Sequence, residues 1–165
     1  MAKLIEKTVL QSPRDKMMSE QYSLLRETIR GNTSSDWVDK NGHVNISHYL
    51  RLLDNSLEVL CSFPGSINSI LKMSNSYVAR SYCVKHQLEL MHPSSWYIKA
   101  GITSITTKKF VSYHCLYKGQ TRVAKFNIES VFFDLISRKA IEIGSNQINL
   151  YTYGLVKGFD QMIIK

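Results

Sequence analysis

The sequence is poor in the features that mark membrane, disulfide-rich and zinc-binding proteins. It contains three cysteines and three prolines in 165 residues, and no apolar run reaches the roughly 18 residues that a membrane-spanning helix needs. Cys61, Cys83 and Cys115 are odd in number and far apart, so they match neither a disulfide framework nor a paired zinc-ligand spacing. The first residues lack the long apolar stretch of a secretory signal. We therefore expect a cytoplasmic protein with no membrane segment and no metal site.

Acidic residues are also scarce relative to basic ones. The 13 Asp and Glu residues stand against 21 Lys and Arg residues, which gives a formal net charge of +8. Such a surface favours an anionic partner. The basic residues are scattered, with nothing longer than pairs such as Lys108-Lys109 and Arg138-Lys139, whereas a nucleic-acid-binding arm carries a denser block. No nucleic-acid partner is expected, and a solvated surface accounts for most of the charge.

What the sequence does contain is enough apolar material for one packed core. Hydrophobic residues make up 44% of the chain and charged residues 21%, a composition typical of globular domains. At this length a single domain is the simplest expectation. The first 20 residues or so have no firm periodicity, so we expect an N-terminal extension over 1–20 and one domain over 21–165.

A stretch in the first half predicts one long amphipathic helix. Asn45 is a suitable N-cap, because its side-chain oxygen can accept from an unpaired amide of the first turn. Pro64-Gly65 ends the helix, since neither residue continues one comfortably. Between them, apolar residues recur along one helical face: Tyr49, Leu52, Leu53, Leu57 and Leu60. The helix would have about 18 residues and be about 27 Å long.

The second half favours β-structure. Four segments are rich in β-branched and aromatic residues, namely 77–91, 96–107, 109–118 and 122–134. Short turns at HPSS and KGQ indicate antiparallel pairing between neighbouring segments, as in a meander. In the third segment one face is predicted to be apolar, and it consists of Val111, Tyr113, Cys115 and Tyr117.

The remaining segments complete an α+β pattern. An irregular strand is predicted over 24–38, before the helix, and a closing helix is expected over 146–160. One helix with a wide apolar face packs well inside a curved antiparallel sheet. The predicted order is therefore one strand, the helix and then a four-stranded meander.

Polar residues crowd the corner that precedes the helix, in the stretch DWVDKNGHVNISHYL. Asn41-Gly42 is a strong turn signal, because both residues tolerate a positive φ. The turn aims the amides of residues 42–47 at one spot, where the helix dipole adds partial positive charge. Such a spot holds an anion, or the oxyanion that forms when a carbonyl is attacked. Asp39 could then act as a nucleophile or general base, and His43 could orient groups or exchange protons.

Each of these residues also has a purely structural explanation. Asp39 can be a turn-former whose carboxylate accepts from nearby amides, and Tyr49 lies on the apolar stripe. Asp54 and Glu58, one helical turn apart, fit a solvated acidic face. The other histidines share no metal-ligand spacing, and neither a Gly-x-Ser-x-Gly elbow nor a phosphate-binding P-loop occurs. The residues alone thus predict a carboxylate beside a helix-end oxyanion hole.

The stretch WVDKNGHVNISHYLRLLD resembles the signature of hotdog-fold acyl-CoA thioesterases of the 4-hydroxybenzoyl-CoA thioesterase-like superfamily. That signature reads approximately D-x-x-G-H-V-N-N-x-x-Y, with an acidic residue five positions after the tyrosine. The matching residues are Asp39, Gly42, His43, Val44, Asn45, Tyr49 and Asp54. The resemblance covers roughly residues 25–145. WVDKNGH is also similar to a subgroup associated with carnitine and betaine breakdown, whose thioesters carry a short polar acyl group.

The resemblance implies a hotdog fold, in which a curved antiparallel sheet wraps a long central helix and two chains form a dimer, or four a tetramer. It implies an acyl-CoA thioesterase that needs no cofactor, coenzyme A being part of the substrate. The implied catalytic residues are Asp39, Asn41, Gly42, His43, Val44 and Asn45. The implied substrate-binding residues are Ile46, Tyr49, Glu58, Arg80, Lys108 and Arg122. Asp39 would be the nucleophile or general base, and Glu58 a second acid acting across the dimer interface.

The sequence departs from the signature at two positions. Ile46 replaces the second asparagine, and Trp37 replaces an acid that often precedes the motif. Ile46 could change the shape of the acyl pocket. Alternatively, the chain could be a non-hydrolytic protein that binds acyl-CoA or an acyl carrier. A hotdog hydratase or dehydratase is a third alternative. Those enzymes resemble D-x-N-P-x-H, whereas this chain has Gly42 in place of the proline and His43 four residues after Asp39.

Overall fold

The computed structural model describes residues 24–156. The predicted extension over 1–20 lies outside the described residues, and so does the end of the predicted closing helix. None of the helices within the described range is long and apolar enough to cross a membrane.

Six strands and two α-helices follow one another along the described chain. The strands are β1 (Arg26–Asn32), β2 (Asn75–His86), β3 (Ser95–Ile105), β4 (Lys109–Lys118), β5 (Thr121–Asp134) and β6 (Lys139–Ala140). The α-helices are α1 (Ile46–Ser62), between β1 and β2, and α2 (Ser145–Ile148), and the 3-10 helices are Ser35–Trp37 and Ile67–Ile70.

Helix α1 has 17 residues and begins and ends where the sequence predicts. The Asn45 side chain accepts from the Ser47 amide at 2.9 Å and so caps the first turn. Phe63 leaves the helical conformation directly before Pro64. The predicted apolar stripe is buried together with Ser56 and Cys61, and it packs on the sheet in one hydrophobic cluster.

The sheet is antiparallel with strand order β1-β3-β4-β5-β2, and β6 pairs with the end of β5. The predicted pairing of β2 with β3 is wrong, because β2 pairs with β5 and β3 pairs with β1. The reason lies in the connection after β2. Val44 and Thr33 donate backbone hydrogen bonds to Leu90 and Ser94 at 2.8 Å each, so the chain is held across the end of the sheet instead of turning back.

The apolar face predicted for β4 is not the face that meets α1. The set Val111, Tyr113, Cys115 and Tyr117 points away from the helix, where Leu25 and Val156 cover Tyr113 and Cys115. The helix side of β4 instead includes the polar residues Ser112 and His114, both fully buried. Because β4 is a central strand covered on both faces, its apolar pattern does not reveal which face meets the helix.

Two other predicted elements are shorter than expected. The strand predicted over 24–38 ends at Asn32, and Ser35–Trp37 forms a 3-10 helix instead. The closing helix predicted over 146–160 is limited, within the described residues, to Ser145–Ile148. Gly154 has a φ of +88°, a left-handed conformation that an α-helix cannot contain.

Candidate functional site

The turn before α1 fixes the position of Asp39. The Asp39 amide donates to the His43 carbonyl and the Gly42 amide donates to the Asp39 carbonyl, both at 3.0 Å. Gly42 has a φ of +84°, which explains the glycine at this point of the turn. Asn41 donates to the Asp39 carboxylate from its backbone amide at 2.8 Å and from Nδ2 at 3.4 Å. Asp39 is thus the turn-former that its sequence context allows, and 21% of its side chain remains exposed.

The amides at the start of α1 are not equally available to a ligand. The Val44 amide donates to the Leu90 carbonyl at 2.8 Å, and the Asn45 amide donates to the Trp37 carbonyl at 2.9 Å. In this geometry both amides already have acceptors, so the predicted role of these amides in polarising a substrate carbonyl would require those hydrogen bonds to break. Within the described part of the chain, the amides of His43 and Ile46 have no hydrogen-bond partner. The Ile46 amide opens the helix, so the partial positive charge of the helix end is centred on it.

His43 lies between two carboxylates without a short contact to either. Its Nδ1 is 3.7 Å from Asp39 Oδ2, and its Nε2 is 3.9 Å from Glu89 Oε1. These distances exceed those of a hydrogen bond but allow electrostatic attraction when the imidazole is protonated. His43 thus lies within electrostatic range of both acids.

A cavity of about 410 Å³, here called the site cavity, opens at this corner. Its lining combines six residues that the sequence predicts with four that it does not. The predicted residues are Asp39, His43, Val44, Asn45, Ile46 and Tyr49. The others are His86, Gln87, Leu88 and Glu89, from the end of β2 and the connection that follows it. The lining therefore combines two acids, the start of α1 and several apolar side chains.

The wall on the β2 side is built around Tyr49. Its hydroxyl oxygen accepts from the Leu90 amide at 3.2 Å, and its ring meets the edge of the His86 ring at 4.8 Å between centroids. Burial raises the pKa of the Tyr49 phenol and lowers the pKa of the His86 imidazole. Both side chains are consequently neutral at pH 7, so the wall that they form carries no charge.

The two departures from the signature have visible local roles. Trp37 stacks on the His48 ring of α1 with centroids 5.1 Å apart, and its carbonyl accepts from the Asn45 amide. Trp37 thus supports the first turn of α1. Ile46 exposes 48% of its surface and lines the site cavity. An apolar side chain there widens the hydrophobic part of the wall.

Four predicted substrate-binding residues lie outside the site cavity. Glu58 lines a separate, second cavity of about 570 Å³, together with Asp54, Tyr77 and Lys72. Arg80 lies 4.0 Å from Glu129, and Lys108 forms a 2.8 Å ion pair with Glu142. Arg122 is nearer to the site, because its Nε donates to Oε1 of the cavity-lining residue Gln87 at 2.5 Å.

No cluster of three or more His, Cys, Asp or Glu side chains within residues 24–156 could hold a metal ion. The three cysteines are free, and burial raises the pKa of Cys61 to about 12 and of Cys115 to about 11. Both thiols are therefore protonated at pH 7, and neither is a reactive nucleophile.

The curled antiparallel sheet with its few helices fits a hotdog-like thioesterase fold. The chain belongs to the thioesterase-like superfamily, whose family model matches residues 34–147. The matched range includes the whole corner, from Trp37 to α1, and ends within α2. No curated protein sequence matches the chain.

Several solved structures share the fold at low sequence identity. A probable thioesterase from Escherichia coli, YbaW, is 15% identical with a TM-score of 0.65, covering 74% of this chain and 96% of its own. A DHNA-CoA thioesterase from Staphylococcus aureus is 12% identical with a TM-score of 0.63, covering 74% and 86%. A hypothetical protein from the same species, in complex with CoA, is 14% identical with a TM-score of 0.64, covering 77% and 84%.

Proposed function

We propose that the protein is an acyl-CoA thioesterase, which hydrolyses a thioester to a free acid and coenzyme A. One observation carries the proposal. In a member of the thioesterase-like superfamily, the acid Asp39 and Ile46, whose amide is unbonded at the start of α1, line the same cavity. A carboxylate and a helix-end donor on one space are what attack on a carbonyl needs.

In the proposed reaction, the thioester carbonyl lies beside the start of α1 and its oxygen accepts from the Ile46 amide. Asp39 either takes a proton from an attacking water or attacks the carbonyl carbon itself. The oxyanion that results is stabilised by the Ile46 amide and the helix dipole. Its collapse breaks the C–S bond, and the thiolate of coenzyme A leaves and takes up a proton. If Asp39 attacks, the mixed anhydride that it forms with the acyl group is then hydrolysed by water, which releases the free acid and the Asp39 carboxylate. One water is consumed in either route, and no cofactor is required.

We further propose that the acyl group occupies the apolar part of the site cavity, against Ile46, Leu88 and the Tyr49 ring. The cavity volume of about 410 Å³ suits a small or medium acyl group. The resemblance of WVDKNGH to the carnitine and betaine subgroup adds short polar acyl groups to the candidates. Coenzyme A thioesters and three free cysteines are both compatible with the cytoplasm.

The active form is proposed to be a dimer joined through the edges of the two sheets. Strand β2 is an edge strand of 12 residues, and its residues Val78 and Tyr82 are 46% and 43% exposed. Long edge strands with exposed apolar residues are normally covered in native proteins. Antiparallel pairing of β2 with its symmetry mate would place the start of one strand beside the end of the other. The second cavity, with Glu58, would then adjoin the partner's site cavity.

The experiment that tests the activity is a thiol-release screen. Acyl-CoAs of increasing chain length, together with short polar ones, are incubated with the wild-type protein, Asp39→Asn and Asp36→Asn. We expect release of coenzyme A from at least one thioester, and a loss of roughly 100-fold or more in Asp39→Asn, which cannot act as a base. Asp36 is exposed on the neighbouring 3-10 helix, so Asp36→Asn is the matched control.

Two results would overturn the proposal. Full activity in Asp39→Asn would remove Asp39 from the reaction. Saturable binding of acyl-CoA by calorimetry, with no thiol released from any thioester, would assign the chain to non-hydrolytic acyl-CoA-binding proteins instead. A hydratase would be recognised by consumption of an enoyl-CoA without thiol release.

A further inference from the structure

Two turns lie side by side at the end of the sheet where β2 begins. The first precedes β2 and is closed by the Asn75 amide, which donates to the Lys72 carbonyl at 2.9 Å. The second joins β5 to β6, and its Leu135 amide donates to the Ser74 carbonyl of the first at 2.8 Å. Asn75 lies opposite Asp134 in the last described pair of the β2–β5 ladder. Both turns therefore continue beyond the paired part of these two strands.

Three large apolar side chains belong to these turns. We call Met73, Leu135 and Ile136 the apolar tip. Met73 is fully exposed, Ile136 is 81% exposed and Leu135 is 47% exposed. Met73 and Ile136 are the two most exposed large apolar residues within 24–156. Single exposed apolar side chains are common on proteins, whereas a group of them marks a surface that binds something apolar.

Cations flank the apolar tip. We call Lys72, Arg138 and Lys139 the basic flank, and each lies within three residues of a tip residue. All three are exposed, and none forms an ion pair within the described part of the chain. The one acid of the two turns is Asp134, whose carboxylate accepts from the Ser137 amide at 2.9 Å. The two turns therefore carry more positive than negative charge.

This combination fits an anionic lipid surface better than another protein. Three side chains expose far less area than the roughly 800 Å² per partner that a standard protein interface buries. A second copy of the chain, docked tip to tip, would bring two basic flanks together, and like charges repel. A bilayer accepts a small apolar group among its headgroups, and anionic lipids strengthen binding roughly fivefold for each cation near the surface.

We propose that the protein binds reversibly to anionic membrane surfaces, with the apolar tip among the lipid headgroups and the basic flank on their negative charges. The inference goes beyond the proposed function and does not depend on it, because no residue of the tip or the flank lines the site cavity. Met73 and Lys72 line the second cavity, so a docked chain would hold that cavity close to the membrane.

The test is flotation with lipid vesicles. Vesicles of phosphatidylcholine alone, and with about 30% phosphatidylserine, are mixed with the wild-type protein, Leu135→Ser/Ile136→Ser and Arg138→Ala/Lys139→Ala. We expect the wild type to float with the anionic vesicles and to bind the neutral ones much more weakly. Each double variant should bind the anionic vesicles roughly tenfold more weakly or less, because apolar contact or charge attraction is lost.

Matched variants elsewhere on the chain control for general changes of the surface. Leu150→Ser/Leu155→Ser removes two apolar side chains that are 58% and 44% exposed. Lys85→Ala/Lys118→Ala removes two exposed cations. Both should bind anionic vesicles as the wild type does. A thermal melt of each variant checks that it is folded.

Fluorescence measures whether the tip enters the bilayer. The emission of Ile136→Trp should shift to shorter wavelength when anionic vesicles are added, because the new indole leaves water. Leu150→Trp should show no such shift, and the wild type gives the signal of the native Trp37 and Trp96.

Several outcomes would overturn the inference. These are a wild type that does not float with anionic vesicles, equal binding by the wild type and Leu135→Ser/Ile136→Ser, and an unshifted Ile136→Trp. A dimer in sedimentation velocity that Leu135→Ser/Ile136→Ser abolishes would assign the tip to contact between chains instead. Thiol release from a short-chain acyl-CoA should be the same in Leu135→Ser/Ile136→Ser as in the wild type, so vesicle binding and thioester hydrolysis can fail independently.

Discussion

At the scale of single residues, the backbone and the side chain of Ile46 have different proposed roles. Its amide opens α1 and has no acceptor within residues 24–156, so it is the donor that the proposed reaction uses. Its side chain lines the site cavity and is 48% exposed. A substitution at this position changes the side chain and leaves the amide in place. The acyl preference and the catalytic step can therefore be separated by experiment.

Replacing Ile46 should change which thioesters are hydrolysed. We expect Ile46→Ala to lower kcat/KM roughly tenfold for apolar acyl groups, because the lost contacts lie in the acyl pocket, and to change little for short polar ones. Ile46→Asn, which restores the residue of the signature, should favour polar acyl groups. Leu50→Ala is the control, since Leu50 is 41% exposed but does not line the site cavity. An equal loss for all acyl groups would show that the side chain does not form the pocket.

At the scale of elements, helix α1 is attached at its start by the Asn45 cap. The cap holds the first turn, which begins with the Ile46 amide proposed to meet the thioester carbonyl, through a 2.9 Å bond to the Ser47 amide. Asn45→Ala should lower the free energy of unfolding by about 1 kcal/mol. Urea denaturation of Asn45→Ala and of Asn55→Ala, an exposed mid-helix control, measures the difference. Equal stabilities of the two variants would contradict a capping role.

A buried chain of hydrogen bonds attaches the middle of α1 to the sheet. Thr28 Oγ1 donates to the Ile98 carbonyl at 3.2 Å, so it accepts from Ser56 Oγ at 2.6 Å. Ser56 Oγ in turn accepts from His114 Nδ1 at 2.8 Å, which leaves His114 Nε2 to accept from Ser112 Oγ at 2.9 Å. The order of donors fixes His114 as the neutral Nδ1–H form. Burial lowers the pKa of His114 to about 3 from its ordinary value of 6.5.

The buried His114 should make the protein sensitive to acid. Between pH 6.5 and about 3 the unfolded chain binds a proton at this residue that the folded chain does not. Above pH 6.5 this residue therefore takes nothing from the free energy of unfolding. As the pH falls below 6.5, His114 lowers the free energy of unfolding by at most about 1.4 kcal/mol per pH unit. Urea unfolding of the wild type and His114→Gln at pH 7 and pH 5 tests this. His114→Gln should be less stable at pH 7 but lose less on acidification, and parallel losses would contradict the assignment.

The elements also show what a sequence pattern can and cannot predict. The bounds of α1 follow from a cap, a stripe and a proline-glycine pair, all of them local signals. The corner from Asp39 to Tyr49 was predictable for the same reason. The β2 contribution, His86 to Glu89, comes from about 40 residues away along the chain. No local signal marks it, because the strand order that brings it there depends on contacts between Val44 and Leu90 and between Thr33 and Ser94.

At the scale of the whole molecule, the two cavities lie at opposite ends of the same edge strand. The site cavity includes His86 at the end of β2, and the second cavity includes Asn75, Ser76 and Tyr77 at its start. A two-fold axis through the middle of β2 would bring each site cavity next to the partner's second cavity. Two complete sites per dimer would result, and an isolated chain would have only half of each.

This arrangement predicts that activity depends on dimer formation through β2. Val78→Lys/Tyr82→Lys places two cations on each of two adjoining edges, so the variant should be monomeric and should lose most of its thioesterase activity while staying folded. Sedimentation velocity measures the mass, and thiol release measures the activity. Leu135→Lys/Ile136→Lys is the matched control, because these side chains are 47% and 81% exposed in the turn between β5 and β6. A wild-type monomer, or a monomeric variant with full activity, would show that each chain completes its site alone.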